Sequence, residues 1–134
     1  MPPSLVYLDS SAIVKLVVRE RESAALFDWL RARPERISSV VSRVEVLRAL
    51  RRAGASSTVL RRAADLIDRI SLMPVDRPVL DVASEIEPRG LRSLDAIHLA
   101  TALSIAGDLA GLVTYDSRLA SAASRSHVDV WAPA

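Results

Sequence analysis

The chain has 134 residues and half of them are apolar, so we expect one domain with its own core over residues 1–134. It contains no cysteine, which excludes disulfides, zinc–thiolate sites and thiol nucleophiles, and no apolar run approaches the ~20 residues of a membrane-spanning helix. The net charge is only +2, but every basic residue except Lys15 is arginine, so nucleic acid and an acidic protein are both open as partners.

Short apolar runs and helical spacings alternate along the chain. Strands are predicted at residues 5–8, 37–41, 72–75, 111–115 and 128–131. Helices are predicted at residues 10–18, 20–33, 42–53, 56–70, 78–86, 93–106 and 117–123. The alternation predicts an α/β domain with a small, mostly parallel sheet flanked by helices. Because helices outnumber strands, we expect residues 42–70 to form a helical hairpin.

The first strand ends abruptly in a carboxylate and two hydroxyls. Residues 5–8 are all apolar, which is typical of a strand that is covered on both faces in the middle of a parallel sheet. Ligands of open α/β sheets bind at the carboxyl ends of the strands, so we expect Asp9 at the floor of any site. A serine cap is expected to open the helix over residues 10–18.

The chain order predicts three further acids at the same edge of the sheet. Asp116 directly follows the strand at residues 111–115. Glu45 lies in the first turn of the helix after the second strand, and Asp95 lies in the first turn of the clearest helix. In a parallel sheet, strand ends and the starts of the following helices share one edge, so the four acids are expected to converge.

A cluster of four carboxylates is electrostatically unfavourable unless its pKa values rise or it binds cations. Hard oxygen ligands favour Mg²⁺ or Mn²⁺, which bind through one or two carboxylates each, together with waters and substrate phosphate. Two such ions, typically ~3.5–4 Å apart, support in-line displacement at phosphorus. The chain has no glycine-rich phosphate loop, so we expect no nucleoside-triphosphate binding of that type.

Each acid also has a purely structural interpretation. Residues 42–45 match a capping box, Asp95 would be favoured by a helix dipole, and Asp9 and Asp116 suit helix caps. A non-catalytic binding module of this kind would bind no divalent metal. A phosphatase working through a phosphorylated aspartate is another alternative, although Ser11 stands where that chemistry wants a second aspartate.

His98 lies three residues after Asp95, on the same helix, and could reach a metal or a phosphate. A histidine among apolar neighbours more often packs with a satisfied ring. We therefore leave His98 out of the predicted catalytic set.

Four segments of the chain carry a family likeness: Tyr7–Ala12, Ser42–Glu45, Leu91–Ala102 and Leu112–Asp116. Together they resemble the PIN-domain family, most closely the VapC-type toxins of bacterial toxin–antitoxin pairs. The resemblance covers essentially the whole chain and occurs in the right order. Its most specific part is the run Leu-Asp-Ala-Ile-His-Leu-Ala that begins at Leu94.

The resemblance implies a Mg²⁺- or Mn²⁺-dependent endoribonuclease that acts as a toxin in the cytoplasm. Carried over by position, the metal-binding and catalytic acids and the hydroxyls beside them are Asp9, Glu45, Asp95, Asp116, Ser11 and Thr114. The family also implies a homodimer and a VapB-type antitoxin that blocks the site, often with an arginine inserted among the acids. The implied substrate is tRNA or ribosomal RNA, cut in single-stranded loops.

Arginines near these acids are expected to hold RNA phosphates and to offset the repulsion between RNA and the carboxylates. The two that we single out are Arg43, on the helix of Glu45, and Arg92, which precedes Asp95. Others in these neighbourhoods are Arg48, Arg51, Arg52 and Arg89. For any one of them, a surface charge or an antitoxin contact is the alternative.

Overall fold

The computed structural model describes residues 2–134, and these form five strands and seven helices. The strands are β1 (Leu5–Leu8), β2 (Arg36–Ser39), β3 (Ser71–Met73), β4 (Leu109–Val113) and β5 (Val130–Trp131). The helices are α1 (Ser10–Val17), α2 (Ser23–Leu30), α3 (Val41–Arg52), α4 (Ser57–Asp68), α5 (Arg77–Glu85), α6 (Ser93–Ser104) and α7 (Ser117–Arg125). None of the helices within this described part is both long and apolar enough to span a membrane.

The sheet has the strand order β3-β2-β1-β4-β5, and every pair of neighbours is parallel. The α/β prediction is confirmed, and the sheet is parallel throughout. The chain builds outward from β1 through β2 to β3, then returns to the other side of β1 for β4 and β5. The strand order therefore reverses between β1 and β4, and such a reversal opens a crevice at the carboxyl ends of the two strands.

The central strand β1 is buried on both faces. Val6 and Leu8 pack on one side in a cluster that includes Ile13 of α1, whereas Tyr7 packs on the other side with Leu99 of α6. Successive side chains of a strand point to opposite faces, so both faces must be apolar here. This double coverage explains why the first strand shows no polar alternation, and it fixes the position of the residue that follows.

The helical hairpin predicted over residues 42–70 is present as α3 and α4. Gly54 follows α3 with φ +77°, the left-handed conformation that favours glycine after a helix. Ala63 and Ile67 of α4 are fully buried in the same core cluster as Val6. The hairpin therefore covers one face of the sheet together with α1.

Several predicted elements are shorter in the structure by one to three residues, the strand predicted at residues 111–115 lies at Leu109–Val113, and two elements lose close to half of their length. The helix predicted at residues 20–33 begins only at Ser23, because the hydroxyl of Ser23 bonds to the carbonyl of Lys15 and closes the turn after α1. The strand predicted at residues 128–131 is reduced to its last two residues, since His127 turns the chain with φ +63° just before it.

Candidate active site

Asp9 directly follows β1, at the reversal of the strand order, and its side chain is buried. Its Oδ1 atom accepts hydrogen bonds from the hydroxyl of Ser11 (2.6 Å) and the amide of Ala12 (2.9 Å). Its Oδ2 atom accepts from Thr114 Oγ1 at 2.5 Å. Asp9 is thus the N-cap of α1, and the expected serine cap is wrong, because the preceding carboxylate reaches the amide first.

Two hydroxyls tie the loop after β4 to this carboxylate. Thr114 Oγ1 donates to Asp9 and accepts from the amide of Asp116 at 3.0 Å. Ser11 Oγ also donates to Asp9, and it accepts from the amide of Tyr115 at 3.0 Å. A hydroxyl can do both because it carries one proton and two lone pairs. The two hydroxyls therefore hold the ends of β1 and β4 in a fixed relation.

Arg92 joins the next two acids. Asp116 caps α7 with Oδ1, which accepts from the amides of Arg118 (2.9 Å) and Leu119 (3.1 Å). Its Oδ2 atom accepts from Arg92 Nη2 at 2.9 Å. Arg92 Nε donates to Asp95 Oδ2 at 3.1 Å, so one guanidinium bridges two carboxylates.

The fourth acid, Glu45, reaches across from α3. Its Oε1 atom accepts from Ser10 Oγ at 2.7 Å and lies 2.6 Å from His98 Nε2. The capping-box interpretation of residues 42–45 is wrong, because α3 begins at Val41 and no side chain caps it. Glu45 is therefore directed toward α1 and α6, and the helix terminus does not use it.

Burial and neighbouring charge shift the pKa values of these acids in different directions. Burial raises the pKa of Asp9, although the hydrogen bonds from Ser11 and Thr114 oppose the rise. Burial also raises the pKa of Asp95, with Arg92 opposing it and the negative charge of Asp116 adding to it. Both carboxylates thus give up solvation in the folded protein.

The pKa of Glu45 moves the other way. Burial alone would raise it, but the hydrogen bond and the charge of His98, with a further hydrogen bond from Ser10, lower the pKa below its ordinary value. Glu45 therefore stays ionised beside its histidine partner.

A groove of about 610 Å³ opens beside two of the four acids. Glu45 and Asp95 line it together with three arginines, which are Arg48, Arg52 and Arg92. A cavity of similar size, about 660 Å³, lies along α5 and the start of α6, but none of the four acids is among its lining residues. Carboxylates and positively charged side chains therefore surround the same open space in this groove.

Arg43, one of the two arginines singled out for RNA, lies elsewhere. Its Nη1 atom is 3.1 Å from Asp68 Oδ1 of α4, and both side chains are exposed. Arg43 is not among the residues that line the groove. Its contact with RNA stays a prediction.

No three His, Cys, Asp or Glu side chains within residues 2–134 are arranged to hold one metal ion together. The positive charge between Asp95 and Asp116 is supplied by Arg92. Mg²⁺ binds through as few as one or two carboxylates and keeps several waters, so a preformed cage of three ligands is not required.

The chemistry of the donor set fits a hard divalent cation. Glu45 Oε2 and Asp95 Oδ1 accept no hydrogen bond from residues 2–134. No buried side-chain polar atom in that range lacks a partner, so both oxygens reach solvent. Glu45 and Asp95 thus each offer one carboxylate oxygen, which is the ligand type that Mg²⁺ and Mn²⁺ prefer.

The family model for the PIN domain matches residues 6–124. The chain belongs to the PIN-domain family. Ribonuclease VapC46 of Mycobacterium tuberculosis (strain ATCC 25618 / H37Rv) is 50% identical to it over 128 residues, which are 96% of this chain and 97% of that relative. The resemblance to the PIN-domain family, in particular to its VapC-type members, is confirmed.

Solved structures have the same PIN-domain fold. VapC20 of M. tuberculosis, a sarcin-ricin loop cleaving toxin, matches with a TM-score of 0.72 at 15% identity, covering 87% of this chain and 94% of that chain. VapBC-5 of the same organism, from the VapBC family of toxin–antitoxin systems, matches with a TM-score of 0.66 at 20% identity, covering 97% and 99%. At these identities the likeness shows the fold.

The sequence predicts the four acids as site residues but not all of the side chains that contact them. Ser10 and Tyr7 received no role, and His98 was assigned to packing. His98 is indeed buried with both ring nitrogens satisfied, but one of its partners is Glu45. A usable signal was present, because His98 lies one helical turn after Asp95 and so faces the same edge.

The pKa shift of Asp9 predicts a gain in stability when its charge is removed. With chelator present, we expect the wild type to lose stability relative to Asp9→Asn as the pH rises. The folded pKa is raised, so the ionised wild type loses stability as the pH rises from the unfolded pKa to the folded pKa, by about 1.4 kcal/mol per pKa unit between them.

Thermal unfolding between pH 4 and pH 8 checks this expectation. The stability of the wild type should rise relative to that of Asp9→Asn as the pH falls through the folded pKa of Asp9, because the wild-type side chain is then also neutral. Asp65→Asn, at an exposed acid of α4, is the matched control and should show no such trend. A difference between Asp9→Asn and the wild type that does not change with pH would contradict the shift.

Proposed function

We propose that this PIN-domain chain is a Mg²⁺- or Mn²⁺-dependent endoribonuclease that acts as the toxin of a toxin–antitoxin pair. The observation that carries the proposal is the groove that Glu45 and Asp95 line together with three arginines, with Arg92 linking Asp95 to Asp116. Relatives covering nearly the whole chain are named ribonucleases, which supports RNA as the substrate class.

A divalent cation held by Glu45 Oε2 and Asp95 Oδ1 would neutralise charge at the scissile phosphate and activate the attacking water. The chain itself supplies rigidity and orientation. Ser11 and Thr114 occupy both oxygens of Asp9 and so fix its plane. This rigidity matters because small displacements of positioned groups reduce rate steeply.

The arginines of the groove provide positive charge, which RNA needs in order to bind close to carboxylates that repel its phosphates. Arg48 and Arg52 lie on the same helix as Glu45 and line the groove. Lys and Arg that neutralise phosphates give binding that weakens as salt rises. We propose that these two side chains hold phosphates of the RNA on either side of the cleaved bond.

Arg92 is proposed to change partners when the site is loaded. Its positive charge now compensates the negative charges of Asp95 and Asp116. A divalent cation beside Asp95 would compensate part of that negative charge instead. Arg92 would then release one carboxylate and be available to a phosphate. This exchange gives Arg92 the RNA contact predicted from the sequence.

The partner proposed for the same site is a VapB-type antitoxin, since a structural neighbour belongs to the VapBC family of toxin–antitoxin systems. An antitoxin arginine inserted among the acids would compete with Arg92 for the same carboxylates. Val44 and Leu94, which line the groove and are exposed, suit apolar side chains of such a partner. We also propose a homodimer, and a cytoplasmic site of action, where tRNA and ribosomal RNA are found.

The alternatives account for less of the geometry. Helix capping explains Asp9 and Asp116, and the dipole of α6 favours Asp95 in its first turn, but Glu45 accepts no capping hydrogen bond. A phosphatase with a phosphorylated aspartate needs a second acid near Asp9. The residue at that position is Ser11, whose hydroxyl donates a hydrogen bond to Asp9.

Cleavage of total cellular RNA by purified, antitoxin-free protein tests the proposed activity. We expect discrete fragments with Mg²⁺ or Mn²⁺, none with chelator, and a rate at least ~100-fold lower for Asp95→Asn, the scale for losing one group that stabilises developing charge. Asp65→Asn should cleave like the wild type.

Two outcomes would refute it. Cleavage that persists in chelator, or that is unchanged in Asp95→Asn, would remove the carboxylate–metal site from the reaction. Folded wild-type protein that never cleaves RNA would favour the non-catalytic binding module.

The groove arginines allow a matched comparison on one helix. Arg52 lines the groove, whereas its neighbour Arg51 does not. In an Asp95→Asn background, Arg52→Ala should weaken binding of single-stranded RNA. It should also make the fall of log K with log salt shallower by ~0.7, the value for one phosphate contact. Arg51→Ala should leave the slope unchanged. Equal slopes for the two variants, measured by fluorescence anisotropy, would contradict a phosphate contact by Arg52.

A further inference from the structure

His98 forms a buried connection between Tyr7 and Glu45. Its Nδ1 atom lies 2.7 Å from the hydroxyl of Tyr7, and its Nε2 atom lies 2.6 Å from Glu45 Oε1. Tyr7 and His98 are essentially inaccessible to solvent, and their rings meet edge-on with an interplanar angle of 81°. The three side chains come from β1, α6 and α3, so the connection crosses from the sheet to two separate helices.

The hydrogen-bonding capacities fix the proton between His98 and Glu45. An ionised carboxylate only accepts hydrogen bonds, so this proton must be on Nε2. At Nδ1, a neutral ring accepts from the O–H of Tyr7, and a protonated ring donates to the oxygen of Tyr7. In both states Tyr7 and Glu45 hold the ring in one orientation, as the partners of metal-binding histidines do.

The orientation has a consequence for the two oxygens of Glu45. Oε1 is engaged by both His98 and Ser10, whereas Oε2 accepts nothing from residues 2–134. Two restraints on one oxygen fix the plane of the carboxylate. They leave the other oxygen free to accept a ligand, and Glu45 is among the residues that line the groove.

We propose that His98, held by Tyr7, is the positioning residue that presents Glu45 Oε2 to the divalent cation. The metal-binding consequence rests on the proposed function, but the contact itself does not. A histidine that merely fills the core would keep its packing and have no influence on how Glu45 binds a cation. The two roles are therefore separable by substitutions that keep one end of the ring and lose the other.

Two substitutions divide the ring in this way. The side chain of Asn reaches only the position of Nδ1, so His98→Asn keeps an acceptor for Tyr7 and loses the donor to Glu45. The side chain of Gln reaches the position of Nε2, so His98→Gln keeps the donor to Glu45. Tyr7→Phe removes only the hydroxyl and should release the ring from its anchor.

Mn²⁺ binding by isothermal titration calorimetry, on full-length folded protein, measures the role. Loss of a partner that orients a metal ligand typically weakens metal affinity ~10–100-fold. We expect a loss on this scale for His98→Asn, a smaller loss for Tyr7→Phe, and affinity restored close to wild type in His98→Gln. Equal affinity of His98→Asn and the wild type would overturn the positioning role.

A second measurement needs no variant and no metal. The chain has two histidines, and His127 is exposed, so it serves as an internal reference. In ¹⁵N NMR of the wild type, Nε2 of His98 should carry a proton. A proton on Nδ1 with none on Nε2 would overturn the inference. Wild-type protein with a proton on Nε2 but no Mn²⁺ affinity would refute the proposed function and leave the Tyr7–His98–Glu45 contact standing.

Discussion

The burial of negative charge at the end of β1 is the constraint on which the rest of the site depends. Asp9 must lie there because β1 is apolar on both faces and ends where the strand order reverses. A buried carboxylate is costly unless it is fully hydrogen-bonded, and Ser11, Ala12 and Thr114 supply those bonds. These bonds stabilise the ionised form and oppose the rise that burial causes in the pKa of Asp9.

The same contacts hold the fold together and shape the site. Asp9 and Asp116 cap the helices that follow their strands, so the two structural interpretations of these acids are right in geometry. Capping uses one oxygen of each carboxylate and leaves capacity on the other. Thr114 then links the two caps through its hydroxyl. A residue's role as a cap and its proposed role as a metal ligand are therefore compatible.

Much of this arrangement could be predicted from the sequence, because it follows from local pattern. Apolar runs followed by acids placed Asp9 and Asp116, and the parallel sheet followed from the alternation of elements. The contacts of Glu45 could not be predicted in the same way. Residues 42–45 match a capping box, whereas the actual partners of Glu45, Ser10 and His98, are 35 and 53 residues away in sequence. The bridge that Arg92 makes to Asp116 likewise depends on tertiary packing that no local pattern encodes.

Diffraction from crystals soaked in Mn²⁺, recorded for its anomalous signal, tests the central claim most directly. The account predicts a peak bounded by Glu45 and Asp95 at the carboxyl ends of β1 and β4, with Arg92 withdrawn from at least one of its two carboxylates. A crystal that binds Mn²⁺ only elsewhere, with Arg92 still bridging Asp95 and Asp116, would contradict it. The four acids would then serve the fold and a protein partner, and the proposed reaction would have no metal site.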